Sequence, residues 1–228
     1  MELTYRDIAK MIDHSLLSPT LTDTELEQGC AIARDYNVAS VCIKPYYLRR
    51  CAALLAGSDV QPSTTIGFPH GGHTTAIKVA EVQAALADGG TELDMVVNLG
   101  KVRSADWTYV RDDVRAVTEA THAGGAIVKV IFENCFLEDA EKVRLCEICA
   151  EVGADFVKTS TGYGGGGATI ADIRLMRAHT PPHVRVKAAG GVRTLDALLE
   201  VRAAGASRCG ATRTVEMLEE LKRRGVTP

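Results

Sequence analysis

Asp155-Phe156-Val157-Lys158-Thr159-Ser160-Thr161-Gly162-Tyr163-Gly164-Gly165-Gly166-Gly167 begins as a buried strand and ends as a bare glycine loop. Ala154 to Val157 is apolar apart from one Asp, and Lys158 falls where the strand should end. Lysine is among the residues least often buried without a partner, so this placement calls for a reason. The glycines that follow let backbone N–H groups approach an anion closely. Ala168 to Ala178 then reads as a helix with Ile170, Ile173, Leu175 and Met176 on its apolar face. A loop feeding a helix N-terminus is a ready phosphate site. One stretch thus offers a candidate amine nucleophile beside a candidate phosphate cradle; the bland alternative is a snorkelling Lys and a floppy loop.

The same strand-then-helix grammar runs through the whole chain. A helical cap around Tyr5 to Lys10 precedes strands at Ile12–Leu16, Val38–Ile43, Ser63–Phe68, Glu92–Asn98, Ala126–Phe132, the quoted stretch, Val184–Ala188 and Ala206–Cys209. Amphipathic helices lie between them, one capped at Thr22 or Asp23 and one opened by Pro45. The last helix runs from Thr214 to Arg224, with Thr212 as its expected cap. Eight units spaced roughly 25 to 30 residues apart suit βαβ repeats, and no low-complexity linker divides them. The expected fold is therefore α/β: a single-domain (β/α)8 TIM barrel over residues 1–228, with an open doubly wound sheet as the alternative.

Composition narrows the function classes. The chain has 228 residues, 46% of them hydrophobic and 24% charged, in the range of ordinary globular proteins. A net charge of −3 offers no polybasic footprint for nucleic acid or an anionic membrane. No apolar run is long enough to span a bilayer, and the N-terminus lacks a signal-peptide core. The 7 cysteines are odd in number and scattered, which reads as reduced thiols in a cytoplasmic protein. No His, Cys and carboxylate spacing suggests a metal site, and no cofactor is expected.

Active sites of such barrels sit at the C-terminal strand ends. Polar residues recur there: Asp13 and His14, Asp94, Lys129 and Glu133, Lys158, and Lys187. Any one of them reads as half of a buried ion pair. Three lysines and several carboxylates together are too costly for a purely structural network. Strands six and seven are neighbours about 4.8 Å apart, so Lys158 and Lys187 should approach each other. Two adjacent ammonium groups depress one pKa, and a neutral amine attacks a carbonyl to form a Schiff base. Asp94 is placed to hold water or move protons. On the phosphate side, Gly162 to Gly167, Gly190-Gly191 and Gly210 fall in three consecutive loops, and Arg193 and Arg213 add positive charge. Thr159 and Thr212 complete the set of candidate substrate contacts.

Phe156-Val157-Lys158-Thr159-Ser160-Thr161-Gly162 and Val186-Lys187-Ala188-Ala189-Gly190-Gly191-Val192-Arg193 resemble the deoxyribose-phosphate aldolase family, and the likeness covers nearly the whole chain. Ile12-Asp13-His14, Val41-Cys42-Ile43 and Glu92-Leu93-Asp94-Met95-Val96 support it. The resemblance implies a class I aldolase that reversibly cleaves 2-deoxy-D-ribose 5-phosphate to acetaldehyde and D-glyceraldehyde 3-phosphate. It implies Lys158 as the Schiff-base residue, Lys187 as the neighbour that lowers its pKa, and Asp94 as the proton relay. It places Asp13 and Cys42 near the substrate and implies a homo-oligomer, dimer or tetramer. Gly210-Ala211-Thr212-Arg213-Thr214 departs from the family's usual Gly-Thr-Ser. Two other readings stay open: a Schiff-base aldolase with a different, unphosphorylated acceptor, and a phosphosugar-binding barrel without turnover.

Overall fold

Each of eight parallel strands is hydrogen-bonded to the next in sequence, and the eighth returns to the first, closing a barrel. A computed structural model describes residues 3–228. Helix α1 (Tyr5–Ala9) precedes β1 (Ile12–Leu16), followed by α2 (Asp23–Asp35) and β2 (Ser40–Ile43). A 3-10 turn at Pro45–Tyr47 runs into α3 (Leu48–Leu55), then β3 (Gln61–Ile66), α4 (Thr75–Ala87) and β4 (Glu92–Val96). The short α5 (Leu99–Arg103) comes before α6 (Trp107–Ala123) and β5 (Ile127–Ile131). A second 3-10 turn, Asn134–Phe136, leads to α7 (Asp139–Val152), β6 (Phe156–Lys158) and α8 (Ile170–Ala178). The chain ends with β7 (Arg185–Ala189), α9 (Leu195–Ala203), β8 (Arg208–Ala211) and α10 (Thr214–Arg223).

Period-two alternation sorts the side chains into two layers. Leu93, Met95, Val128, Val130, Val157, Val186 and Cys209 face outward and join the helices in one apolar core. The residues between them, among them Asp94, Lys129, Lys158, Lys187 and Arg208, share the inner face, as their mutual pairing in register shows. Threonines set helix entries: Thr22 and Glu25 form a reciprocal capping box at the start of α2.

Several expected bounds and contacts shift. Strand β3 starts and ends two residues early, because Gly67 adopts a left-handed φ of 62°. The turn of α5 went unforeseen, since five residues are too few to show a periodicity. Strand β8 starts and ends two residues late, so Gly210 is part of the strand, paired with Asp13 and Ala189, rather than of a loop. Thr212 does not cap α10: Arg213 holds that position without a side-chain cap. The Thr214 hydroxyl instead meets His14 Nδ1 at 2.7 Å.

A fully buried ion pair lies outside the barrel. Lys78 of α4 donates to Asp113 of α6 at 2.6 Å and to the Val96 carbonyl at 2.9 Å, with both side chains fully buried. It ties two helices to the end of β4. Lys78→Met strands the Asp113 carboxylate, and we expect a loss of about 3–5 kcal/mol in urea unfolding. A loss below about 1 kcal/mol would show that the pair is dispensable.

Candidate active site

Strand register brings the interior charges together. Asp94 is in register with Lys129, and Lys158 with Lys187. Asp94 accepts from three lysines: from Lys129 at Oδ1, and from Lys158 and Lys187 at Oδ2, each at 2.7 Å. Lys129 also reaches Glu92 at 2.8 Å, and Lys187 reaches Asp13 at 2.5 Å. Arg208 bridges Asp13 and Glu92, with 2.5 Å to each. Ser40 donates to the Asp13 oxygen that Arg208 also holds, at 2.7 Å. Lys129 and Lys187 thus each contact two carboxylates at short range, whereas Lys158 contacts one.

That asymmetry sets the protonation states. Burial lowers all three lysine pKa values. For Lys187 it is outweighed by Asp13 and Asp94, and the ammonium form is held above its ordinary range. Asp94 and Glu92 do the same for Lys129. For Lys158 burial prevails: Asp94 opposes it, Lys187 reinforces it, and the pKa falls below that of an ordinary lysine. Burial pushes the Asp94 and Asp13 carboxyls upward, but their cationic partners hold both well below the usual carboxylate range. Burial raises the Cys42 thiol, and burial lowers His14 to about 4.

Only part of this cluster opens to solvent. A cavity of about 350 Å³ at the C-terminal strand ends is lined by Asp13, Cys42, Lys158 and Lys187 at its floor. Gly162, Gly190, Gly191, Arg193 and Thr212 surround its mouth, with Ser15 to Ser18 also in the lining, and Gly210 sits lower, beside Asp13 and Lys187. Asp94 lies beneath the two lysines and does not line the cavity. The expected residues Lys158, Lys187, Asp94, Asp13 and Cys42 therefore converge on one place.

Other expected residues do not. The Thr159 side chain turns outward to the Ala189 backbone, accepting its N–H at 3.1 Å, because it alternates with inward Lys158. Arg213 pairs with Glu216 at 2.7 Å on the surface and stands outside the lining. Gly164 to Gly167 form no cradle over the cavity. Gly164 and Gly166 pack against Glu133 and Cys135, and Gly167 against the Gly190 backbone, where an added Cβ would lie 2.4 Å from the carbonyl oxygen. The neighbouring Ala168 N–H donates to the Ala189 and Gly190 carbonyls at 3.0 Å. Two histidines of the loop after β3 also lie apart from the site: His73 faces Glu81 at 3.3 Å, and His70 borders a separate small cavity.

Several residues carry more of the site than the sequence suggested. Glu133, with a left-handed φ of 56°, accepts the Thr161 N–H at 3.2 Å and the Thr161 hydroxyl. Tyr163 donates to the Leu17 carbonyl at 2.6 Å and closes one side of the mouth. Arg208 falls inside the strand expected at Ala206–Cys209, and its spacing of two from Gly210 is the signal that it faces inward.

The comparisons with known proteins point to one family. A family profile described as DeoC/LacD family aldolase matches residues 8–215. A deoxyribose-phosphate aldolase of Rhodopirellula baltica is 64% identical over 219 residues, which are 96% of this chain and 91% of that one. One from Caldanaerobacter subterraneus subsp. tengcongensis is 44% identical over 226 residues, which are 99% and 98% of the two chains. The solved tetrameric deoxyribose phosphate aldolase of Aeropyrum pernix superposes with a TM-score of 0.88 at 31% identity, covering 96% of this chain and 92% of its own. A profile match over most of the length and identity running nearly end to end leave one assignment: the chain belongs to the DeoC/LacD family of aldolases.

Proposed function

We propose that the protein cleaves 2-deoxy-D-ribose 5-phosphate reversibly to acetaldehyde and D-glyceraldehyde 3-phosphate through a Schiff base on Lys158. The observation that carries this reading is the unequal sharing of carboxylates, which leaves Lys158 the buried lysine most easily deprotonated, at the floor of an open cavity. Its free amine attacks C1 of the open-chain sugar. Lys187, an ammonium lining the same cavity, donates the proton that lets the carbinolamine lose water. Lys187, left neutral by that donation, takes up the C3 hydroxyl proton; the C2–C3 bond breaks, and its electron pair moves into the iminium as an enamine. Glyceraldehyde 3-phosphate leaves; protonation of the enamine at C2 and hydrolysis then release acetaldehyde. Asp94, bonded to both lysines, passes protons between them. The whole chain acts as one catalytic unit, and its assembly as a homo-oligomer is supported by the tetrameric relative.

The 5-phosphate fits the mouth, where Gly162, Gly190 and Gly191 expose backbone and Arg193 supplies charge. Arg193→Ala should raise KM for the phosphorylated sugar about tenfold and leave deoxyribose within about twofold. Arg213→Ala should change neither, since its guanidinium is engaged by Glu216. Steady-state assays on both sugars decide this. A wild-type preference for unphosphorylated deoxyribose would overturn the phosphate assignment; equal losses on both sugars would remove Arg193 from it. Arg213 and His73 pair with Glu216 and Glu81 outside the cavity lining, so the choice between a phosphorylated and an unphosphorylated acceptor rests on Arg193 and the mouth glycines.

A further inference from the structure

The interior cluster has three carboxylates, Asp13, Glu92 and Asp94, and four basic groups, Lys129, Lys158, Lys187 and Arg208. Side-chain exposure runs from none at Asp13, Asp94 and Lys129 to 11% at Arg208, so water does little to screen it. An uncompensated charge in such a place is strongly disfavoured. Fully protonated bases leave one positive charge in excess. Arginine does not give up its proton. Lys129 and Lys187 each touch two carboxylates, so the surplus proton is most weakly held on Lys158.

We infer that Arg208 and Glu92, neither of which lines the cavity, are positioning residues that fix the charge count around Lys158 and so select it as the free amine. Arg208 stands in register with Lys187 at the start of β8, and Glu92 opens β4 two residues before Asp94. Each reaches Lys158 only through intermediates. Arg208 holds Asp13, which holds Lys187; Glu92 holds Lys129, which holds Asp94.

The inward residues of every strand enter this balance. Strand β1 presents Asp13. Strand β2 presents Cys42, whose thiol burial keeps protonated. Strand β3 presents Ser63 and Thr65, in register with Glu92 and Asp94, and neither titrates. Strand β5 presents Lys129, β6 adds Phe156 below Lys158, and β7 presents Lys187. Arg193 lies at the mouth of the cavity, and Arg185 stacks on the Phe156 ring at 3.9 Å, closing the lower end.

The inference rests on the Schiff-base reading of Lys158, but its test does not use aldol chemistry. Cyanate carbamylates only the free amine, so the rate of modification at Lys158, followed by peptide mass analysis across pH, has its midpoint at the Lys158 pKa. Arg208→Met removes a positive charge; the Lys158 ammonium is then balanced, and the midpoint should rise by about one pH unit. Glu92→Gln removes a negative charge, the positive excess grows, and the midpoint should fall by about one unit. The double variant restores the count and should return to within about 0.3 unit of wild type. Arg208→Lys keeps the charge and should leave the midpoint in place, which separates charge from shape and remains informative should the methionine variant fold poorly. Single variants that shift in the same sense, a double variant that fails to return, or Arg208→Lys behaving like Arg208→Met would overturn the inference. Opposite shifts in a protein that does not cleave deoxyribose 5-phosphate would sustain it and reject the proposed reaction; normal cleavage with fixed midpoints would do the reverse.

Discussion

Lys158→Ala is expected to lower cleavage of 2-deoxyribose 5-phosphate by at least about four orders of magnitude, as removal of a covalent nucleophile does. It should also abolish the label that borohydride and acetaldehyde leave on the protein. The loss should not come from unfolding. Removing Lys158 leaves Asp13, Glu92 and Asp94 facing Lys129, Lys187 and Arg208, a balanced set in which Asp94 still accepts from two lysines. The melting temperature should therefore stay within a few degrees of wild type. Two measurements check the assignment: peptide mass analysis of the reduced adduct, and turnover of the folded variant. Adduct mass on Lys129 or Lys187 would move the nucleophile. Lys129 makes a poor one, since Asp94 and Glu92 keep its ammonium form above the ordinary lysine range.

Lys187→Leu should reduce kcat/KM at pH 7 by one to two orders of magnitude, and the loss should shrink as pH rises. The sign follows from the geometry. Lys187 shares Asp94 Oδ2 with Lys158, and its charge disfavours a second ammonium there. Without Lys187, that oxygen belongs to Lys158 alone, and the three carboxylates face Lys129, Arg208 and a protonated Lys158. The Lys158 pKa rises, the free amine becomes the minor form at neutral pH, and the acid limb of the profile moves upward. A like charge at this range shifts a pKa by roughly one to two units, tenfold per unit. Catalysis at pH 9 to 10 should then recover most of the wild-type rate, less the contribution of Lys187 as a proton donor. A profile of unchanged shape would refute the coupling of the two lysines.

The fold was legible because strand–helix alternation survives averaging over many residues. Eight apolar strands register as a period, and single misplacements do not disturb it. Individual ends were less legible, because they depend on one backbone dihedral, as at Gly67, or on which residue of Cys209-Gly210-Ala211 still pairs with β1 and β7. The chemistry was legible for a related reason: a lysine inside a strand is an anomaly in its own local context. Lys158, Lys187, Asp94 and Asp13 each announced themselves in this way. Arg208 and Glu92 did not: Glu92 opens its strand and looks like solvent-facing flank, and Arg208 stands in a strand whose expected bounds lie two residues early. Thr159 and Arg213 failed in the opposite direction. Both lie beside the right residues in sequence, but alternation turns Thr159 to the outer face, and Glu216 one turn along α10 draws Arg213 away. Adjacency in the chain did not give orientation.

The contact between Gly167 and Gly190 bears on how this site has to be redesigned. Backbone rests on backbone there, and Ala168 is clamped to the carbonyls of Ala189 and Gly190, so the connections after β6 and β7 behave as one rigid jaw. A residue with a side chain at Gly167 forces the two apart and disturbs Gly190 and Gly191 at the cavity mouth together with Gly162. Substrate range is therefore not adjustable one loop at a time: a library that randomises either connection alone samples mostly broken jaws, whereas transplanting both together from a relative with a different acceptor carries the complementary surfaces along and leaves the lysines beneath untouched.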